Sequence, residues 1–270
     1  MNKLTIKFNE IGDVGFIAIR RAYAFMGFGI NAAENPEQNR VVLPGIGRPH
    51  IFPEEVSKED LKKLKAEFKT WITGNALREL VEGFEQYLRE VFHALIRTHL
   101  SKNIALDVKN LIRGFENVGI GGKIDLIREQ FKVEIPTTVD FAAINLARNS
   151  LTHGHGYIRP RDCNEEGALV MQWRVIEIWV DSNNDEKISL KTNSDEPILL
   201  EAGGNVMIRP INQHKKFELK SRLDLTPKEL EELCFACQLF VGDLQHNLVK
   251  VLQDIGITVN IKNHESAVES

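Results

Sequence analysis

The segment from Asn75 to Leu100 constrains the fold more than any other part of this chain. Its apolar residues recur every three or four positions, which is the period of an α-helix: Leu77, Leu80, Val81, Phe84, Leu88, Val91, Phe92, Leu95 and Ile96. A stripe this wide exceeds what a helix needs to cover a single neighbour. The pattern therefore predicts a helix in the middle of a helical bundle.

Further helices are predicted on both sides of this one. The sequence Thr226-Pro227-Lys228-Glu229 is typical of a helix start, with threonine as the N-cap and proline in the first turn. Gly154 and Gly156 should end an earlier helix near His153. The predicted helices cover about 57–72, 75–100, 107–115, 123–131, 136–153 and 226–254, with a glycine-rich turn at 119–122.

The period of the apolar residues changes after Gly156. Strict alternation from Leu169 to Val180 predicts a β-strand, and the polar residues 181–185 predict a turn into a return strand at 188–190. Trp173 and Trp179 lie on one face of the first strand and should pack the sheet onto the bundle. Further strands are predicted at 196–200, 205–210, 216–223 and 257–261.

The N-terminal region is predicted to carry little regular structure. Alternating apolar residues at 4, 6 and 8 predict one short strand, and the prolines and glycines of 31–53 predict an extended loop. The fold class is mainly α (α+β), a helical bundle with a small antiparallel β insert before the last long helix. The predicted organisation is an irregular segment at 1–53, the bundle at 54–160 and 224–255, the β-rich insert at 161–223 and a tail at 256–270.

Composition excludes several classes of protein. With 43% hydrophobic and 27% charged residues, the chain is neither disordered nor collagen-like, and a net charge of −4 excludes a histone-like polycation. Three cysteines cannot all pair with one another, so a reducing, cytoplasmic location is expected. The apolar run from Val14 to Ala33 has Arg20 and Arg21 at its centre, so no membrane span or secretory signal is predicted.

Several residues with chemical potential are interpreted as structural. Cys234 and Cys237 have the spacing of a redox motif but lie inside a predicted helix, so they are interpreted as buried core cysteines. His93 and His99 are not on one helix face, so neither a metal site nor any other cofactor is predicted. Three acidic residues are interpreted as the solvated side of the long helix: Glu79, Glu82 and Glu85.

The segment Arg148-Asn149-Ser150-Leu151-Thr152-His153-Gly154 carries the strongest functional signal. It ends an amphipathic helix with an arginine, an adjacent asparagine and a histidine five positions after the arginine. This arrangement resembles the R-x4-6-H motif of the HEPN superfamily. The long apolar helix upstream and the long final helix are also similar to that superfamily's architecture, over about residues 57–254.

The resemblance implies a metal-independent endoribonuclease that acts as a homodimer, with two motifs sharing one cleft. His153 would act in proton transfer, Arg148 would bind the scissile phosphate and Asn149 would orient one or both. This chemistry requires no metal, because the 2′-hydroxyl of RNA is itself the nucleophile. His155, Arg159 and Arg161 follow closely and are weaker candidates for RNA binding. A toxin or phage-defence effector with an antitoxin partner is the expected context.

Two other functions fit the same sequence. One is a non-catalytic HEPN-like module that binds a partner protein, a nucleotide or RNA, in which case Arg148 and His153 should be buried and mutually satisfied. The other is a small-molecule sensor that uses the β insert. A second copy of the motif spacing, from Arg209 to His214, is set aside because Pro210 and a strand or loop setting do not suit a helical site.

Overall fold

The computed structural model describes residues 7–35, 56–182, 187–189 and 204–257. Within these ranges the chain forms six α-helices and one three-stranded antiparallel sheet. In chain order the elements are α1 (Phe8–Glu34), α2 (Lys58–Ser101), α3 (Val108–Glu116), α4 (Ile120–Phe131), α5 (Phe141–His153), a 3₁₀ turn (Pro160–Asp162), β1 (Ala168–Ser182), β2 (Lys187–Ser189), β3 (Gly204–Glu218) and α6 (Pro227–Asp254). The prediction of a mainly α fold with a small β insert before the last helix is confirmed.

Helix α2 is the central element of the bundle and is longer than predicted. The two helices predicted at 57–72 and 75–100 are one helix of 44 residues, so the predicted break at Gly74 is wrong. A Cβ atom on Gly74 would lie 3.1 Å from the side chain of Leu151 in α5. The glycine thus allows α5 to approach α2 closely and does not interrupt the helix.

The prediction of an irregular N-terminal segment is wrong over residues 8–34, which form α1. Helix α1 packs along α2 through glycines on both helices: added Cβ atoms on Gly29 and Gly83 would overlap Ile72 and Ala18, respectively. This packing buries one side of α1, whose buried residues follow helical spacing: Ile11, Gly15, Ala18, Ile19, Ala22 and Met26. Residues 1–6 and 36–55, which include most of the predicted strand and loop, lie outside the described residues.

Helices α4 and α5 are confirmed with shifted boundaries. Helix α4 begins at Ile120, inside the predicted turn, because Gly121 lies close against Ala142 of α5. Helix α5 begins at Phe141 and not at 136. Residues 138–140 pair with β1 instead, where the Arg174 N–H donates to the carbonyl of Thr138 (2.7 Å), and Asp140 then caps α5 by accepting from the backbone N–H of Ala143 (3.0 Å).

The sheet has the order β2-β1-β3, and its inner end packs on the bundle. Trp173 is buried and its indole N–H lies 3.4 Å from a carboxylate oxygen of Glu232 in α6, as the predicted packing requires. Trp179 is half-buried under the guanidinium of Arg209 (5.1 Å to the ring centre). The strands predicted at 205–210 and 216–223 are joined in one strand, β3, which already ends at Glu218. The predicted strand at 196–200 and all but the first residue of the one predicted at 257–261 lie outside the described residues.

Three phenylalanines join the central helix to the two helices that flank it. Phe84 of α2 lies 4.8 Å from Phe141 of α5, and Phe141 lies 4.8 Å from Phe240 of α6, measured between ring centres. All three rings are buried, so the first turn of α5 is anchored in the core. No helix in the described ranges is long and apolar enough to cross a membrane.

Candidate functional site

Helix α5 places Asn149 and His153 on its outer face and Arg148 at the edge that faces α2. Its inner face is formed by the buried residues Phe141, Ala143, Ile144, Ala147 and Ser150. Arg148 and Asn149 are half-buried, and His153 is exposed. Asn149 and His153 are four residues apart and share a face, whereas Arg148 and His153 point about 140° apart around the helix axis.

Arg148 faces the long helix and is held by two acceptors. Its Nη2 group donates to Oδ1 of Asn145, one turn earlier in α5 (2.9 Å), and to Oε1 of Glu85 in α2 (3.4 Å). Its side chain is 21% exposed. The other terminal nitrogen of the guanidinium, Nη1, makes no hydrogen bond within the described part of the chain, so it can donate to a ligand.

Glu85 also lies 3.7 Å from Nζ of Lys123 in α4. Lys123 is buried, and its ammonium lies 5.6 Å from the ring centre of Phe115. The prediction that Glu85 belongs to a solvated helix side is therefore wrong, because it is half-buried between two cations. One carboxylate is thus shared between the ammonium of Lys123 and the guanidinium of Arg148.

Two arginine nitrogens on the paired surfaces of α2 and α5 have no partner. The Nε atoms of Arg148 and Arg78 are buried and make no hydrogen bond. A buried donor on a charged group that lacks an acceptor is costly, and most such groups in folded proteins are paired. These two unpaired donors distinguish the region from an ordinary structural ion pair.

The C-terminal end of α5 turns sharply through two glycines, as predicted. The helix ends at His153, and a Cβ atom on Gly154 would lie 2.8 Å from the carbonyl oxygens of Ser150 and Tyr157. Gly156 has a φ of +81° and accepts at its carbonyl from the N–H of Leu223 (2.7 Å). The loop that follows the motif is therefore tied to the chain that leaves the β insert.

Arg159 caps α5 and is not free to bind RNA as predicted. Its Nη1 group donates to the carbonyl of His153 (2.7 Å), and Nη2 donates to the carbonyl of Asn149 (3.2 Å) and to Oδ1 of Asp162 (2.9 Å). Its Nε group donates to Oδ2 of Asp162 (2.7 Å). These contacts occupy most of the donors of the guanidinium, so Arg159 positions the motif.

Asp162 is the buried partner in this pair. Burial on its own would raise the pKa of the Asp162 carboxyl, but hydrogen bonds from the side chain and backbone of Arg159, together with the positive charge of that arginine, outweigh burial and hold the pKa below its ordinary value. The carboxylate therefore stays ionised and holds Arg159 against the end of α5.

The other two weak candidates are exposed near the same loop. His155 has a φ of +49° and an exposed side chain, and Arg161 is also exposed. The structure places both within reach of solvent beyond the end of α5, and neither makes a hydrogen bond through its side chain in the described ranges. They remain candidate ligand contacts, in contrast to Arg159.

The second copy of the motif spacing lies on a strand. Arg209 and His214 belong to β3, and Arg209 pairs with Glu177 of β1 (2.6 Å). No helix brings these two residues together.

The interpretation of Cys234 and Cys237 as core cysteines is confirmed, because both are buried. Burial raises the pKa of the Cys234 thiol to about 12 and raises that of Cys237 well above its usual range, so both thiols are inert core groups within α6. His99 is buried with Nδ1 2.9 Å from the carbonyl oxygen of Leu95. In the described ranges, no three His, Cys, Asp or Glu residues are grouped closely enough to hold a metal ion.

Comparisons with known proteins return nothing: no protein-family profile, no curated protein and no solved structure matches this chain. The site is therefore interpreted from its own geometry and from the motif.

Sequence reasoning missed the supporting residues of the site. Glu85 and Lys123 contact each other across two helices, and Arg148 is 63 residues from Glu85 in the chain. The spacing of Arg148, Asn149 and His153 within α5 does not reveal these contacts with other helices. The one signal in the sequence is the row of acidic residues on the long apolar helix, Glu79, Glu82 and Glu85, which by itself indicates only a solvated side.

Proposed function

We propose that this chain is a metal-independent endoribonuclease of the HEPN type. The observation that carries the proposal is that α5 exposes His153 at its C-terminal end, while Nη1 of Arg148 has no hydrogen-bond partner in the described part of the chain. An arginine fork with a free Nη1 group suits the non-bridging oxygens of a phosphate. An exposed histidine suits proton transfer.

The proposed reaction is attack of a ribose 2′-hydroxyl on the neighbouring phosphorus. The 2′-oxygen–phosphorus bond forms while the bond from phosphorus to the 5′-oxygen breaks, which gives a 2′,3′-cyclic phosphate and a 5′-hydroxyl. The proton of the 2′-hydroxyl passes to a base, and an acid supplies the proton that the leaving oxygen takes up; His153 serves at one of these atoms. Arg148 stabilises the extra negative charge on the phosphate oxygens as the bond forms.

The non-catalytic alternative expects Arg148 and His153 to be buried and mutually satisfied. Arg148 is 21% exposed and held by Glu85 and Asn145, as that alternative expects, but His153 is exposed and makes no contact with Arg148 in the described part of the chain, which favours the nuclease. The proposed partners are RNA and a second copy of the chain, and a toxin or phage-defence role with an antitoxin is the context that such an activity suits.

The proposal is tested by incubating a labelled single-stranded RNA with the protein in EDTA and examining the product ends for 2′,3′-cyclic phosphate. His153→Ala is expected to lower the cleavage rate by about 10²–10⁴-fold, which is the usual contribution of a positioned proton-transfer group. Arg148→Ala is expected to lower it by about 10²–10³-fold through lost charge stabilisation. Circular dichroism should show that both variants are folded, because neither residue lies on the inner face of α5.

Matched controls come from exposed residues of the same types on other helices. His246→Ala in α6 and Arg113→Ala in α3 should cleave at the wild-type rate. Equal cleavage by wild type and both motif variants would identify a contaminating nuclease and contradict the assignment. A wild type that cleaves no RNA would contradict the nuclease and favour the binding module.

A further inference from the structure

Helix α2 has an open face between its contacts with α1 and α5. Its residues follow helical spacing along one side of α2: Phe68, Trp71, Asn75, Arg78 and Glu82. Phe25 of α1 borders the same surface. We refer to these six residues as the α2 open face. They are remote in sequence from the R-x4-6-H motif, and no part of the proposed cleavage step uses them.

The α2 open face contains a cavity of about 310 Å³ between α1 and α2. Phe25, Trp71, Asn75, Arg78 and Glu82 are among the residues that line it. Trp71 is 62% exposed although Phe68 stacks on it, and Phe25 is 51% exposed. Two exposed aromatic rings on the rim of one cavity form a candidate binding surface, and their flat faces suit a planar ligand.

Polar groups with spare hydrogen-bonding capacity line the same cavity. The Nε of Arg78 is buried and unpaired, and its Nη1 makes only a long contact with Oδ1 of Asn75 (3.4 Å). Asn75 donates one amide N–H to the carbonyl of Trp71 (2.7 Å), which leaves its second N–H unused. Glu79 is paired with Arg21 (2.6 Å), whereas Glu82 is exposed and can accept a hydrogen bond.

The α2 open face leads directly to the motif. Gly74 faces Leu151 and Phe84 faces Phe141, so α2 and α5 run antiparallel. This register places Arg78 opposite Ala147, next to Arg148. Trp71 lies about 10 Å further along α2, level with the end of α5. An extended strand bound at Arg148 can therefore reach the cavity within a few residues of its length.

We propose that this cavity binds an unpaired base of the RNA strand that the motif cleaves. The inference rests on the proposed function, and it names the substrate as single-stranded RNA. Trp71 stacks on the base, and Arg78 contacts the adjoining phosphate. Stacking on an aromatic ring combined with a guanidinium on the backbone is how proteins hold single strands. Glu82 accepts from an exocyclic amino group, so adenine, cytosine and guanine are favoured over uracil, which has no such group.

The test uses full-length protein and a fluorescein-labelled 12-nucleotide oligo(A) with 2′-O-methyl groups, which removes the nucleophile and prevents cleavage. Trp71→Ala is expected to weaken binding in fluorescence polarisation about fivefold to a hundredfold. Trp71→Phe, which keeps an aromatic face, should recover part of the loss. Arg78→Gln should weaken binding and reduce the dependence of affinity on salt by about one phosphate contact. Phe235→Ala, at an exposed phenylalanine of α6, is the matched control and should bind as wild type does.

The outcomes separate this inference from the proposed nuclease. Wild type that binds through Trp71 but cleaves no RNA would support the cavity and contradict the nuclease. Wild type that cleaves RNA but binds the oligonucleotide independently of Trp71 would support the nuclease and contradict the cavity. If the wild type does not bind the oligonucleotide, the proposed base-binding role of the cavity is contradicted. It is also contradicted if Trp71→Ala halves the mass measured by light scattering, because the α2 open face would then join two copies of the chain. Equal binding of oligo(A) and oligo(U) would contradict the role of Glu82.

Discussion

The end of α5 depends on a single arginine. The last four carbonyl groups of a helix lack partners within the helix, and here Arg159 donates to one of them, that of His153, and to the carbonyl of Asn149 one turn earlier. Arg159 is in turn fixed by the buried carboxylate of Asp162. The orientation of two motif residues thus depends on an ion pair that lies six to thirteen positions further along the chain.

Asp162→Asn is expected to lower the free energy of unfolding by about 1–3 kcal/mol at pH 7, because it removes a buried ionised acceptor from Arg159. The pKa of this carboxyl is lower in the folded protein than the unfolded value of about 3.9. Its contribution is therefore fully present above pH 4 and is lost as the pH falls through the folded-state pKa. Urea denaturation at pH 7 and at pH 3 should show the difference between variant and wild type shrinking in acid.

Asp125→Asn is the matched control for this prediction. Asp125 pairs with Arg128 three residues away, but both side chains are exposed, so the change should stay within about 0.5 kcal/mol. If Asp162→Asn is as harmless at pH 7 as Asp125→Asn, the ion pair does not hold the end of α5.

At the scale of elements, the pairing of α1 with α2 depends on glycine. A methyl group at Gly83 would overlap the Cβ of Ala18 and lie 3.2 Å from its Cα, which is backbone and cannot rotate away. Gly83→Ala is therefore expected to destabilise the protein by about 1–3 kcal/mol through overpacking. Alanine ordinarily stabilises a helix relative to glycine by about 1 kcal/mol. A loss of stability in Gly83→Ala would therefore be due to the close contact with Ala18 and not to helix propensity.

Gly27→Ala in α1 gives the opposite expectation, because nothing lies within 4 Å of the added methyl group. This variant should raise the thermal midpoint while Gly83→Ala lowers it, and circular dichroism melts of the two measure both. A Gly83→Ala variant that melts at or above the wild-type temperature would mean that α1 and α2 do not pack this closely.

These contacts explain which helices the sequence could predict. Most of helix α2 is predictable from the sequence because its apolar residues form one stripe over many turns. In α1, by contrast, exposed apolar residues such as Ile17 and Phe28 alternate with buried ones such as Ile19, so apolar side chains surround the helix and no stripe stands out. Its stability comes from packing on α2, which a local pattern does not encode.

The same distinction applies to the site. Arg148, Asn149 and His153 lie within six residues of one helix, so their spacing alone predicted that they share its outer end. The contacts of Glu85 with Arg148 and Lys123 join three helices that are far apart in sequence, and only the folded chain brings them together. The role of Arg159 was also missed, because the loop after Gly154 follows no regular period.

Across the whole molecule, α5 is fixed at both ends. Its first turn is anchored by Phe141 between Phe84 and Phe240, and the loop after its last turn is tied to Leu223 at the exit of the β insert. The chain that leaves the insert therefore supports the loop that follows the motif. Such anchoring suits a site whose groups must stay in place, as phosphoryl transfer requires.

Each chain supplies one motif histidine, His153, which points about 140° away from Arg148 around the axis of α5. The proposed cleavage moves one proton from the 2′-hydroxyl and another to the leaving oxygen, which two histidines can serve better than one. A two-fold axis beside the outer face of α5 would bring two Arg148 and two His153 side chains into one cleft. Multi-angle light scattering at micromolar concentration should therefore give about twice the chain mass of 30.7 kDa.

Complementation between inactive chains tests the shared cleft directly. Arg148→Ala and His153→Ala should each cleave RNA poorly as pure proteins, since every dimer then lacks one kind of group. When the two variants are unfolded together and refolded as a mixture, some dimers combine one intact Arg148 with one intact His153 on different chains, and cleavage should rise well above that of either variant alone. Refolding each variant separately and mixing at the end controls for damage during refolding. A mixture as inactive as its components would show that one Arg148 and one His153 on different chains do not form a working cleft. A chain that stays strictly monomeric would contradict the shared cleft altogether.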